Sequence, residues 1–510
     1  KSAMKNTDRK HQAISQAAAC RGLALLLSGA LLTPQALAND EFLQWKQQQA
    51  QSFQEYKDKR DKEFTAFLKM HWTEMQLLKG FERDPAPKPV VMPVATPEPV
   101  PQPETPVAEP VAPPAPVAAP VIIVPVPVPA PVPVAPPPVK PTTALKGRRI
   151  NFNFYGTPIT LYYDDKLKTS LAHRIDKNAV SGFWSALSKA DYDTLIDQLE
   201  AQRTALQLND WAYVLLVNET ANQVYPGAQN QQSLFTWFIL AKAGYKARIA
   251  YDDRTVYLLV PSNQQLYSTP YFTFDNLRYY AVRFDGREQK LGRVFTYDGE
   301  YPGTNKQLDM LLNRDMVVTD HPARRKLSFE FEGKRYDIDA AYDIERVDFL
   351  NTYPQLDLDI YFSSNVSSTA ASPLLQQLSA QMQGMHQQQA VNFLLRFVQS
   401  SLKYKTDESQ FGKENYLFPE ETLYYPYSDC EDRSILFAWL VKQLLGLDVV
   451  GLDYPGHVAT AVHFTDRVNG DAITYQGKRY VVADPTYVNA STGTTMPDYK
   501  NSEPEIIRIQ

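Results

Sequence analysis

Cysteine is nearly absent from this chain. Only Cys20 and Cys430 occur in 510 residues. Cys20 lies ahead of a short apolar run and an expected cleavage point, so the mature chain keeps one thiol and no internal disulfide is available to staple the fold. Clustered basic charge is missing too. The formal net charge is −5 and no long Lys/Arg run occurs, which removes the electrostatic basis for nucleic-acid binding. The chain has no GxGxxG, no phosphate-binding GxxxxGK[ST] loop, no HExxH and no CxxC. Nucleotide and metal chemistry therefore have no local signature, and no cofactor is expected.

Residues 1–38 read as an export signal. Lys5, Arg9, Lys10 and Arg21 supply a basic start, Leu23–Leu27 opens an apolar run, and Ala36-Leu37-Ala38 precedes Asn39. The apolar run is too short to span a bilayer, so the expectation is a cleaved signal and an exported, periplasmic or cell-envelope protein. A leftover cysteine in that compartment is a candidate reactive group.

The next segment, 39–84, has the pattern of one long amphipathic helix over 41–80. Phe42/Trp45, Phe53/Tyr56, Phe64/Phe67 and Met75/Leu78 are pairs three apart that recur every eleven residues, a period compatible with a weakly right-handed coiled coil. Such a stripe calls for self-association, or for docking on the globular part or an envelope protein. Residues 85–141 hold 23 of the 38 prolines. Proline lacks the backbone donor, so this stretch is expected as a polyproline II spacer with a reach on the order of 175 Å.

The remaining chain carries an internal duplication. Arg148–Gly156 matches Arg325–Gly333, each alternating apolar and polar residues into a glycine turn; Leu234–Tyr245 matches Leu436–Leu447. The offsets are 177 and 202, so the second copy has about 25 extra residues between the blocks. The resulting division is a degenerate copy at 142–300, a β-rich connecting region at 301–374 and a catalytic copy at 375–510, in an α+β fold.

Cys430 precedes an apolar helical run that should stop at Gly446, with Ser428 or Asp429 as its cap. The helix dipole favours thiolate there, while Asp429, Glu431 and Asp432 oppose it, so activation requires a basic partner. His457 follows a Pro-Gly turn and opens a strand; Asp484 ends a later strand that can pair with it. Nucleophile, base and orienter then occur in the order Cys430, His457, Asp484. His463 lies roughly 20 Å along the same strand, so the two cannot both serve one thiol; His457 is the choice because it follows the glycine turn at a strand end, with His463 the alternative. Carried back by the duplication, the three positions fall on Ala228, Thr255 and, through a match of Pro485 to Pro270, Thr269. The first copy thus keeps packing residues and lacks the triad.

Asp429-Cys430-Glu431-Asp432-Arg433-Ser434, Gly456-His457 and Asp484-Pro485-Thr486 together resemble the transglutaminase-like superfamily of papain-type cysteine enzymes, over about residues 375–495. Glu420-Glu421-Thr422-Leu423 resembles the lead-in of bacterial members. Ser428 departs from the usual glycine before the cysteine. The resemblance implies two papain/transglutaminase-like copies and cysteine-dependent acyl transfer at a peptide or carboxamide carbonyl. Release by water gives a protease or amidase, and release by an amine a transglutaminase. It also implies an oxyanion donor from the Cys430 amide plus an upstream side chain, with Tyr424, Tyr425 and Tyr427 as candidates. The expected partner is a protein or peptide substrate, in the envelope by its compartment. The alternative is a non-catalytic envelope scaffold, a peptide-binding tether.

Overall fold

A computed structural model describes residues 34–82, 88–95, 146–284 and 292–509, with only helical backbone at 34–41 and 43. The export signal up to Thr33 and most of the proline-rich stretch lie outside the described residues. The described residues fall into two units, one ending at Lys59 and the other beginning at Arg60. No helix among the described residues is long and apolar enough to cross a membrane.

Helix α1 covers Pro34–Met70. In the first unit Phe42, Trp45, Phe53 and Tyr56 are each more than half exposed. In the second unit Phe64 and Leu68 are buried, with Phe64 against Trp184 and Tyr301. The Lys242 ammonium bonds Asp61 and lies over the Tyr192 and Tyr301 rings. The helix is shorter than its eleven-residue pattern predicts. After Met70 the chain becomes strand β1 (Thr73–Gln76), and Met75 pairs with Val294 rather than extending the stripe. Pairing with an available sheet edge has overridden the helical period there.

The second unit is an α+β body with one continuous main core. Its first half runs through hairpin β2 (Arg148–Phe154) and β3 (Thr157–Tyr163), then helices α2 (Lys177–Leu187), α3 (Asp193–Ala205), α4 (Asp210–Val224) and α5 (Gln229–Lys242). Strands β4 (Arg248–Tyr251), β5 (Val256–Pro261), β6 (Tyr271–Phe274), β7 (Leu277–Val282) and β8 (Arg293–Thr296) follow. The second half opens with hairpin β9 (Pro322–Phe331) and β10 (Lys334–Asp343), then α6 (Ile344–Leu350), α7 (Leu358–Phe362), α8 (Ser368–Gln381) and α9 (Gln387–Ser401). Next come β11 (Lys403–Tyr404), α10 (Asp407–Phe411), α11 (Pro419–Tyr424), β12 (Tyr427–Ser428) and α12 (Cys430–Leu445). It closes with β13 (Asp448–Tyr454), β14 (His457–His463), β15 (Ala472–Tyr475), β16 (Lys478–Ala483) and β17 (Glu505–Ile507).

The two halves share one plan. The first sheet has the order β1-β8-β4-β5-β7-β6 and the second β17-β13-β14-β16-β15, every neighbouring pair antiparallel. Removing the added edge strand β1 leaves the same order in both. The leading hairpins turn through Tyr155-Gly156 and Glu332-Gly333, all four with positive φ, the backbone of a tight two-residue hairpin turn. The extra residues of the second half are 402–429, against 225–228 in the first; they hold β11, α10, α11 and β12. The region expected to be β-rich over 301–374 is strand only in β9 and β10 and helical from Ile344 onward, where the Asp343 carboxylate accepts from the Glu345 amide at 2.9 Å. By topology that hairpin is the second half's own first element, so the repeat begins there rather than at 375.

Candidate active site

Helix α12 begins at Cys430 and ends at Gly446, whose φ of 63° is the left-handed stop expected of a glycine. The Asp432 carboxylate accepts from the Asp429 amide at 3.2 Å and from the Leu417 amide at 2.9 Å, fixing the start of the helix. Ser434, one turn after Cys430 on the same face, donates to the Val458 carbonyl at 2.9 Å. The cysteine turn is thereby tied to the start of β14.

Tyr454 pairs with His457 across a two-residue turn, Pro455-Gly456, with Gly456 at φ 77°, as a turn with proline first and glycine second requires. Strand β16 pairs with β14 through Thr460–Ala483, and Asp484 follows at its end. His457 Nε2 donates to Asp484 Oδ2 at 2.8 Å, and both residues are buried. Asp484 Oδ1 accepts from the Thr486 and Tyr487 amides at 2.9 and 3.1 Å. Gln399, on α9, clamps the same loop by donating to the Asp484, Tyr487 and Ala490 carbonyls. With Nε2 protonated toward Asp484, His457 Nδ1 carries the lone pair. That atom is buried and has no hydrogen-bond partner. The imidazole stacks on Tyr499 with ring centres 5.0 Å apart, and Tyr454 packs on the same tyrosine. His463 stands at the far end of β14, donating Nδ1–H to the Arg479 carbonyl at 2.9 Å.

The thiol is fully buried and donates to Glu431 Oε2 at 3.0 Å. Burial, and then the Glu431 charge, push it well above the ordinary thiol range. In this conformation burial and the flanking acids together oppose thiolate. Burial also opposes ionisation of Glu431, but the Lys88 ammonium overcomes it and brings that carboxyl down to about 2. Burial and Glu431 raise Glu414 to about 8 and Asp432 to about 7. Asp407, Asp429 and Glu431 have carboxylate oxygens within 4.8 Å of one another, a donor set of the kind that holds a hard cation. The Lys88 ammonium bonds Glu431 and Glu414 and lies 3.6 Å from Asp429.

Four supporting residues have no role assigned from the sequence. Lys88 comes from the proline-rich stretch. Tyr404 is placed by the parallel pair Tyr404–Ser428, and its hydroxyl is buried without a partner. Burial, then the charges of Cys430, Asp429 and Glu431, raise its phenol. Arg433 is buried beneath Tyr404 and donates to the Leu402 carbonyl at 2.7 Å. Gln399 is the fourth. Their contacts cross long stretches of chain, so no local pattern announces them. By contrast Tyr425 donates to Asn351 and Tyr424 packs on Tyr342.

The first half carries other residues at the three corresponding places. Ala228 caps α5 where Asp429 and Cys430 start α12. Three residues back from Leu258 along β5, as His457 is three back from Thr460 along β14, stands Thr255 in place of His457. Leu258 pairs with Val282 as Thr460 does with Ala483, so Arg283 stands in place of Asp484. The match of Asp484 to Thr269 is therefore corrected: Thr269 precedes β6, and the true counterpart follows β7. Asn218, Gln232, Ser233, Thr255 and Arg283 line a cavity of about 270 Å³ at this place.

No protein-family model matches the chain, and no curated protein or solved structure matches it.

Proposed function

We propose that this chain is an exported cysteine-dependent acyl-transfer enzyme of transglutaminase-like, papain-type fold, with an active second half and a degenerate first half. The observation that carries this reading is the buried His457–Asp484 pair, whose Nδ1 is left without a partner on a strand that the Ser434–Val458 bond ties to α12. Cys430 Sγ attacks a peptide or carboxamide carbonyl carbon while its proton passes to His457 Nδ1. The leaving amine takes that proton as the C–N bond breaks and a thioester forms. Water or a second amine then attacks the thioester and returns the thiol. Asp484 holds the imidazole tautomer and stabilises its charged form. The Cys430 amide and the Tyr404 hydroxyl are the candidate oxyanion donors. The compartment makes envelope proteins or peptides the substrate class. Incubating the chain and its Cys430→Ala variant with envelope proteins and an added amine, then reading product masses, tests this. Cleaved or amine-tagged products should need Cys430; identical products from both chains contradict the reading.

One observation favours a peptide-binding scaffold instead: the thiol is buried, bonded to Glu431 and held neutral. A scaffold thiol keeps the same alkylation rate in His457→Ala, whereas the enzyme's does not.

A further inference from the structure

Residues 88–95 lie across the second half from the cysteine turn to the Asp484 loop. At one end the Lys88 side chain is buried, its ammonium bonded to Glu431 and Glu414 and 5.3 Å from the centre of the Tyr416 ring. In the middle Arg433 Nη1 donates to Met92 Sδ at 2.9 Å. At the other end the Pro93 carbonyl accepts from the Val488 amide at 2.9 Å and the Ala95 amide donates to the Val488 carbonyl at 2.8 Å. This is extended-strand addition, with a parallel bridge between Val94 and Val488. Val90, Val91 and Val94 face solvent, while Lys88 and Ala95 are buried. The segment is thus held as a bound peptide is held, by backbone bonds at one end and a side-chain pocket at the other.

The pocket bears the marks of a ligand site. Three carboxylates, from α12, its capping residue and the loop before α11, converge on one cation. Asp429 Oδ1 is buried with no hydrogen-bond partner. Glu431 bonds the thiol through one oxygen and the ammonium through the other, so the bound amine lies two hydrogen bonds from Sγ. We propose that the pocket of Glu414, Asp429 and Glu431 over Tyr416 is a recognition subsite for a lysine side chain of an extended peptide, and that residues 88–95 fill it in cis as a substrate-like strap. This rests on the acyl-transfer reading, in which the crevice beside Cys430 is the substrate cleft. Tethering gives the strap an effective concentration of about millimolar, so it outcompetes a free peptide of modest affinity.

The test measures binding, not turnover. Full chains carrying Cys430→Ala, alone or with Lys88→Gln or Ala95→Pro, are titrated against a fluorescein-labelled peptide of residues 86–96 and its lysine-to-glutamine form, read by anisotropy. Ala95→Pro removes the strap's donor to Val488 and leaves the pocket intact, so it carries the test if Lys88→Gln fails to fold. The chain with the strap intact should bind at least about 10-fold more weakly than either loosened chain, and loosened chains should prefer the lysine peptide by about 10-fold or more. No binding to a folded loosened chain at millimolar peptide, or equal binding of both peptides, overturns the proposal. Thiol alkylation is read separately on Ala95→Pro chains that keep Cys430, with His457 intact or replaced by alanine: lysine-selective binding with equal alkylation rates leaves the pocket standing and removes the acyl-transfer reading, and His457-dependent alkylation without lysine-selective binding does the reverse.

Discussion

Replacing Glu431 by glutamine separates the two things its carboxylate does. It opposes thiolate formation at Cys430 and it anchors Lys88. Two unit charges at the 3.0 Å separation of Sγ and Oε2, in an effective dielectric of about 20, interact by about 5 kcal/mol, or about 4 pKa units. If Lys88 stays, bound by Glu414 and Asp429, the thiol pKa should fall by about 2–4 units in Glu431→Gln. If the strap leaves, the weaker attraction of the more distant ammonium is lost as well and the fall shrinks to about 1–2 units. The assay is the rate of iodoacetamide alkylation against pH, followed by intact mass, on chain shown to be folded by circular dichroism. A thiol midpoint that is unchanged or higher in the folded variant refutes the claim that Glu431 keeps Cys430 neutral.

Asp484→Asn should preserve the fold but lower turnover by about 10³–10⁴-fold, since the amide leaves the imidazole in the wrong tautomer; steady-state kinetics with any substrate found will read this. Tyr404→Phe should lower kcat by about 10²-fold with little change in KM if the hydroxyl meets the developing oxyanion. Stability should fall as pH rises from about 5 to 8. Glu421, raised to about 8 by burial, Glu414, to about 8, and Asp432, to about 7, bind more protons folded than unfolded across that window. Their contribution is complete below the ordinary carboxylate range and lost through those raised values. A melting temperature at pH 8.5 at least about 5 °C below that at pH 5 is expected by calorimetry. Asp61→Ala should destabilise the second unit by about 3–5 kcal/mol, because it strips the buried Lys242 ammonium of its carboxylate; denaturant unfolding measures it.

The legible parts of this molecule are those encoded within about thirty residues. The α12 stop at Gly446, the β13–β14 turn at Pro455-Gly456 and the strand pairing that delivers Asp484 to His457 all follow from local periodicity and turn chemistry. The duplication is read from packing residues such as Trp237 and Trp439, and the two sheets have the same strand order once β1 is set aside. What local reasoning misplaced depends on distant partners. Met75 and Leu78 keep a helical spacing but join a sheet edge supplied by residues beyond 270. Thr269 was matched through a shared proline, although register assigns Arg283. Lys88 sits in a composition that reads as a spacer, and only its carboxylate neighbours, more than 300 residues away, reveal a docked segment.

The most direct test of the central claim is the alkylation rate of Cys430 near neutral pH in the strap-loosened Ala95→Pro chain, with His457 intact and with His457→Ala. If Cys430, His457 and Asp484 act together, the histidine variant should react at least about 10-fold more slowly, because the imidazole no longer accepts the thiol proton. Equal rates in the two folded chains would contradict the triad and leave the thiol as a buried side chain of α12.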